Sequence, residues 1–148
     1  MTRVRAAQVT DAATWLRLRR ALWPEGSEAD HRQEISAYLA GHASEPQAVL
    51  LAEEAACVVG LAELSIRPCA EGCQSSRIAY LEGWFVEPEA RGRGIGRALV
   101  AAAEEWARSQ GCTEFASDTQ SANDVSIAAH RALGFIDAGL VHCFRKDL

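Results

Sequence analysis

No stretch of this 148-residue chain approaches the ~18 consecutive apolar residues that a membrane span requires. The basic residues near the start, Arg3 and Arg5, have no apolar run behind them, so no secretion signal is indicated and the chain reads as cytoplasmic. The five cysteines (Cys57, Cys69, Cys73, Cys112, Cys143) are scattered, odd in number and lack a C-x-x-C pair. That argues against a disulfide framework and against a zinc site, so reduced thiols and no metal are expected. Positive charge is also short: 15 Lys plus Arg stand against 20 Asp plus Glu, a net charge of −5, which disfavours nucleic acid or anionic lipid as a partner. Repeats, low-complexity tracts and linkers are absent. With 49% hydrophobic and 24% charged residues, residues 1–148 have the length and composition of one ordinary mixed-structure domain.

The hydrophobic pattern divides the chain into alternating elements. Arg3 to Ala6 reads as a short strand, followed by a helix with Trp15, Leu18 and Leu22 on one face and a stop at Trp23-Pro24-Glu25-Gly26. A second helix is expected from Ser27, with Glu28 and Asp30 in its first turn and Gly41 past its end. Residues 48–52 and 57–66 suggest an antiparallel hairpin through Glu53-Glu54, and 67–77 a loop. Ile78 to Val86 is an apolar run of the kind that forms a strand covered on both faces, interrupted by Glu82. A glycine-rich turn, a helix over 97–108 and a strand over 114–117 complete a right-handed strand-helix-strand unit. A helix over 125–133 and a last strand over 136–144 follow.

The turn Arg91-Gly92-Arg93-Gly94-Ile95-Gly96 joins a strand to a helix, so its backbone N–H groups can converge where the helix dipole is positive, as in an anion cradle. It lacks the Lys-Ser/Thr ending of a nucleotide-triphosphate loop, and Arg97 breaks the dinucleotide register. Val86-x-Pro88-x-x-Arg91-x-x-Gly94-x-Gly96 resembles the acetyl-coenzyme A signature of the GNAT superfamily of N-acetyltransferases. Asn123, Ala129-His130 and Gly134-Phe135 are similarly spaced to that superfamily's last helix. The resemblance implies an α/β (α+β) GNAT fold: a central mixed, mostly antiparallel sheet with a splayed parallel strand pair and about four flanking helices. It also implies acetyl-CoA as cosubstrate. The backbone of Trp84, Phe85 and Val86 would pair with the pantetheine arm, Arg91 to Gly96 (through Gly92, Arg93, Gly94 and Ile95) would take the pyrophosphate, and Asn123 would hydrogen-bond the cofactor. Phe85 and Val86 read equally as core residues, and Asn123 as a helix cap.

A finer resemblance rests on Leu22-Trp23-Pro24, Gly72-Cys73-Gln74-Ser75-Ser76, Leu81-Glu82-Gly83, Ala116-Ser117-Asp118-Thr119 and Phe144-Arg145-Lys146. These segments are similar to the aminoglycoside 6′-N-acetyltransferases of the antibiotic-resistance type. The implied reaction is direct attack by the aminoglycoside 6′-amine on the thioester in a ternary complex. Such amines are protonated cations, so the site must bind positive charge and remove a proton, and carboxylates do both. Glu82, interrupting an apolar strand, needs a polar cleft, a partner or a raised pKa, and suits a general base; its other reading is a solvent-facing or Arg-paired carboxylate. Asp118, just past a parallel strand, suits an ammonium ligand, and its other reading is an Asx-turn or helix N-cap. Trp23 fits a wall of the acceptor cavity or the core, and Glu25, Glu28, Asp30 and Glu34 an acceptor mouth or a solvated helix face.

Two departures from the superfamily stand out. The position of its thiolate-protonating Tyr is His130, a candidate acid. Only residues 135–148 follow Gly134, enough for one strand with an open edge, which suggests a homodimer through the C-terminal strand. A GNAT enzyme acting on another amine, and a non-catalytic acetyl-CoA-binding module, are the competing readings.

Overall fold

Five strands, β1 (Arg3–Ala6), β2 (Ala48–Glu54), β3 (Cys57–Arg67), β4 (Ile78–Val86) and β5 (Glu114–Ser117), form one sheet in the order β1-β2-β3-β4-β5 in a computed structural model describing residues 1–148. The first three pairings are antiparallel and β4–β5 is parallel, which requires the crossover helix α3 (Ile95–Ser109). The other helices are α1 (Ala12–Leu22), α2 (Glu28–Leu39) and α4 (Asp124–Ala132).

Side chains alternate across the sheet, so neighbouring residues enter different cores. Leu61 joins Val49 and Leu51 against Trp15, Leu18 and Ile35 of α1 and α2. Ala62 joins Ala52 and Leu64 against Ile95, Leu99, Val100 and Ala103 of α3. The start of α2 follows the sequence: the Ser27 hydroxyl accepts the Asp30 N–H at 3.1 Å. Asp11 immediately precedes α1 but makes no side-chain cap. Its carboxylate instead takes Arg5 at 2.7 and 2.9 Å, fastening β1 to the helix start.

Two features of β4 position the site. In the β3–β4 register Glu63 faces Gly83 while Leu64 faces Leu81, so Glu82 is the extra residue of a β-bulge. On the other side, the parallel ladder ends at the pair Leu81 and Ser117, so β4 continues through Glu82–Val86 without a β5 neighbour.

The last strand expected over 136–144 is a correction. Residues 136–148 carry no regular structure, and Ile136, Leu140 and Phe144 are exposed. A strand exists only against a hydrogen-bonding neighbour, and within one chain this segment is not paired with the outer edge of β5.

Beneath α1 lies a buried ion pair. Glu63, 1% exposed, accepts from Arg19 Nε at 3.1 Å, and Arg19 also meets Glu34 at 2.6 Å. Burial pushes the Glu63 carboxyl up to about 7 in spite of Arg19. The folded state therefore binds a proton more tightly than the unfolded chain, and Glu63 costs stability as pH rises from the ordinary carboxylate range towards 7. Denaturant titrations across that window should show stability falling with pH in the wild type and a shallower slope in Glu63→Gln; equal slopes would contradict this account.

Candidate functional site

The end of the parallel ladder opens a cleft between β4 and β5, and the chain's unusual residues gather around it. Glu82 projects from the bulge and is held by Arg67, the last residue of β3, in a bidentate pair of 2.8 and 2.6 Å. The Arg67 guanidinium lies 3.6 Å over the ring of Tyr80. The Tyr80 hydroxyl in turn donates to Asp118 Oδ2 at 2.5 Å. Of the two readings of Glu82, the Arg-paired one describes this state. Asp118 makes neither an Asx-turn nor a helix cap, since α4 is capped by Asn123. The phenol hydroxyl stays protonated because burial and the Asp118 charge both raise its pKa.

Trp23 closes one side. A Cβ on Gly83 would lie 2.7 Å from Trp23 Cη2 and 3.0 Å from Leu22 Cδ2, so the indole sits directly on the strand beside the bulge. Arg19 lies 5.1 Å over the same ring. The acidic run on α2 does not form a free anionic wall: Glu28 is taken by Arg20 and Arg32, and Glu34 by Arg19. Arginines spaced along α1 and α2 reach these carboxylates, which leaves Glu25 and Asp30 without an ion pair.

The glycine turn presents main-chain donors. The N–H groups of Gly92, Arg93, Gly94, Ile95, Gly96 and Arg97 have no acceptor within the chain. Gly92 and Gly94 take left-handed φ of 77° and 83°, which is why glycine is needed there. No atom lies within 4 Å of where their Cβ atoms would be, so the cradle is open. The arginines contribute differently than expected. Arg91 Nε donates to Val86 O at 2.9 Å and fixes the turn to the strand end, while Arg93 pairs with Glu54 at 3.3 Å and with Glu89 O at 2.9 Å. A Cβ on Gly96 would lie 3.1 Å from Trp84, whose buried Nε1 has no hydrogen-bond partner.

On the far wall, α4 is tied to β5 by His130. Its Nδ1 lies 2.7 Å from Ser126 O and its Nε2 2.8 Å from Ser117 Oγ. A carbonyl only accepts, so Nδ1 carries the proton and Nε2 accepts from the Ser117 hydroxyl in the neutral ring. The imidazole is wedged edge-on against Trp84 and Phe135, at 5.2 and 5.1 Å. Asn123 Oδ1 accepts the Ser126 N–H at 3.1 Å and caps α4, which leaves its amide nitrogen free to donate. Sequence reasoning missed Arg67, Tyr80 and Ser117. Tyr80 precedes Glu82 by one strand period and Ser117 ends β5, so both signals lay in the pattern; Arg67 reads from sequence only as a loop boundary.

Residues 13–135 match the model of the acetyltransferase (GNAT) family, and the chain belongs to that family. It is 53% identical over 149 residues to an aminoglycoside N(6′)-acetyltransferase type 1 of Klebsiella aerogenes, covering 98% of this chain and 96% of the relative. Among solved structures it is similar to AAC(6′)-Iy in complex with the bisubstrate analogue CoA-S-monomethyl-acetylneamine, at TM-score 0.92 and 34% identity over 100% of this chain and 99% of that one. It is also similar to the 6′-N-acetyltransferase AAC(6′)-IG from Acinetobacter haemolyticus, at TM-score 0.90 and 37% identity over 99% of both chains. The expected GNAT architecture, with its mixed sheet and splayed parallel pair, is the one observed.

The contact of Trp23 with Gly83 can be tested directly. Gly83→Ala should evict the indole from its seat, lowering stability by about 1–3 kcal/mol and changing the near-ultraviolet circular dichroism; an unaltered spectrum at wild-type stability would rule the contact out.

Proposed function

We propose that this protein transfers the acetyl group of acetyl-coenzyme A to the 6′-amine of aminoglycosides, as its curated relatives' name describes for them, and thereby confers resistance. The observation that carries the reading is the break in the β4–β5 ladder: past Leu81 the strand has no β5 neighbour, Glu82 stands at the bulge, Asp118 follows the end of β5, and β4 leads on to the free amides at the start of α3. The residues present fit the cosubstrate. An anionic pyrophosphate suits the amides of residues 92–97 at the positive end of α3, and an amide-bearing arm suits the unpaired edge of Trp84, Phe85 and Val86. Asn123 has an amide nitrogen to donate, and Trp84 Nε1 is a buried donor next to the cradle. Use of acetyl-coenzyme A also supports a cytoplasmic location.

When bound, acetyl-coenzyme A supplies an electrophilic carbonyl and a thiolate leaving group. The chain's part begins with Asp118, the exposed carboxylate of the pair that no arginine neutralises, which holds the substrate ammonium. Glu82 accepts the proton that must leave before the amine can attack. Trp23 flanks the sugar rings with an apolar wall. His130 stands behind Ser117 and can serve as the acid only as the imidazolium: with both ring nitrogens protonated, Nε2–H donates to Ser117 Oγ, the serine proton goes to the departing thiolate, and the Nε2 proton replaces it, leaving the neutral ring.

Thiol release from acetyl-coenzyme A should appear with kanamycin and vanish with an analogue bearing a hydroxyl in place of the 6′-amine. Glu82→Gln should lower kcat by about 10²- to 10⁴-fold, and Asp118→Asn should raise KM by about tenfold. Coenzyme A binding should survive both substitutions. Wild-type rates in both variants would refute these roles, and cofactor binding without turnover of kanamycin, tobramycin or neomycin would redirect the reading to another amine.

The functional unit in this proposal is a homodimer. The exposed side chains of Ile136, Leu140 and Phe144 lie in a segment without a strand partner, and β5 ends the sheet. Pairing of residues 137–144 with a second copy satisfies both. Sedimentation should give a dimer at micromolar concentration and a monomer when the chain is cut after Phe135; a full-length monomer would remove the proposal.

A further inference from the structure

We infer that Arg67 is an internal cation that occupies the acceptor corner of the free enzyme and has to be displaced by the substrate ammonium. The inference rests on the reading that the corner of Glu82, Tyr80 and Asp118 receives an ammonium group. That corner presents one carboxylate, one aromatic face and a second carboxylate reached through the phenol, which are the components of a cation site. In the free chain the cation is the protein's own. Both Arg67 nitrogens that face Glu82 are engaged, and the guanidinium carbon lies only 3.6 Å above the Tyr80 ring. An ammonium on the same face would meet the guanidinium, so the two cannot share the corner.

The surroundings let Arg67 leave without disturbing the fold. Its side chain is 38% exposed and makes hydrogen bonds only to Glu82, so a route to solvent is open. The backbone beyond it is fixed: the loop after β3 is held to β5 because Glu114 accepts the N–H groups of Gln74 and Ser75, the latter at 2.6 Å. The side chain therefore swings while the loop stays. Displacement breaks a bidentate pair and a cation–π contact. Any ammonium that takes the corner meets that same loss, and attraction from the exposed Asp118 and the net charge of −5 offsets it for a polycation.

The test measures equilibrium binding of kanamycin, of spermine and of a monoamino sugar to wild type and Arg67→Met by calorimetry, with thermal melting as the check on folding. All three cations should bind Arg67→Met tighter by a similar factor of about tenfold, and Arg67→Lys should restore the wild-type affinities. Unchanged or weaker binding in a folded Arg67→Met overturns the inference, as does failure of any cation to bind it. In the wild type, the proton–nitrogen NMR signal of Arg67 Nε should lose its protection as kanamycin or spermine is added; a signal unchanged at saturation overturns the inference even if the variant does not fold. Thiol release with kanamycin is scored separately, so the acetyl-transfer reading can fail while the cation-displacement reading stands.

Discussion

The point on which this molecule turns is the place where hydrogen bonding between β4 and β5 stops. Four residue pairs hold the parallel ladder, from Ile78 with Glu114 to Leu81 with Ser117, and at the next residue β4 bulges at Glu82. The bulge and the break reinforce each other. An extra residue on β4 increases local twist and turns the strand away from β5, and a strand no longer tied to β5 accommodates the extra residue. From that single discontinuity come an outward-facing carboxylate, an unpaired strand edge and a cleft into which the glycine turn opens. Neither side of the sheet alone would supply all three.

The second constraint is that the cleft is built from atoms the core leaves unused. Gly83 carries no side chain, so Trp23 can lie on the strand; Gly96 carries none, so Trp84 can pack under the start of α3. The cradle consists of amides that an α-helix never satisfies internally, kept free of side chains by left-handed glycines. His130 then braces the far wall with two hydrogen bonds of fixed polarity. It is a hinge pin between α4 and β5 before it is anything else, since removing it would free Ser117 from α4.

Much of this was legible in the sequence because it obeys local rules. The bounds expected for β4 and β5 agree with those observed, since apolar β-branched and aromatic residues end there at Pro88 and at a polar turn. The glycine turn and the odd carboxylate in an apolar strand were both visible as violations of pattern, and such violations mark sites. The last strand was legible as a pattern yet forms no strand here, because alternation specifies a face and an edge but not whose edge. An arginine partner for Glu82 was one of the readings open, but which arginine pairs with which carboxylate was not legible. Arg67 is as far from Glu82 in sequence as a hairpin requires, and nothing at position 67 distinguishes a loop boundary from a cation aimed across two strands. The same applies to the acidic run on α2, whose Glu28 and Glu34 answer to arginines on α1 and α2.

Those pairings change the meaning of the net charge. A value of −5 suggests an acidic protein that attracts cations everywhere, but arginines pair with Glu28, Glu34, Glu63 and Glu82. Asp118 is different: it makes no ion pair, and its hydrogen-bond partner is the Tyr80 phenol, which stays protonated. In the proposed binding event an approaching cation meets Asp118 first and then competes with Arg67 for Glu82. The order has a chemical consequence. In the proposed displacement, both Glu82 oxygens are engaged while Arg67 is in place, and a substrate ammonium that replaces the guanidinium frees that carboxylate to take the ammonium proton. Binding and deprotonation are then coupled through one side chain, and the base is exposed only when there is an amine for it to act on.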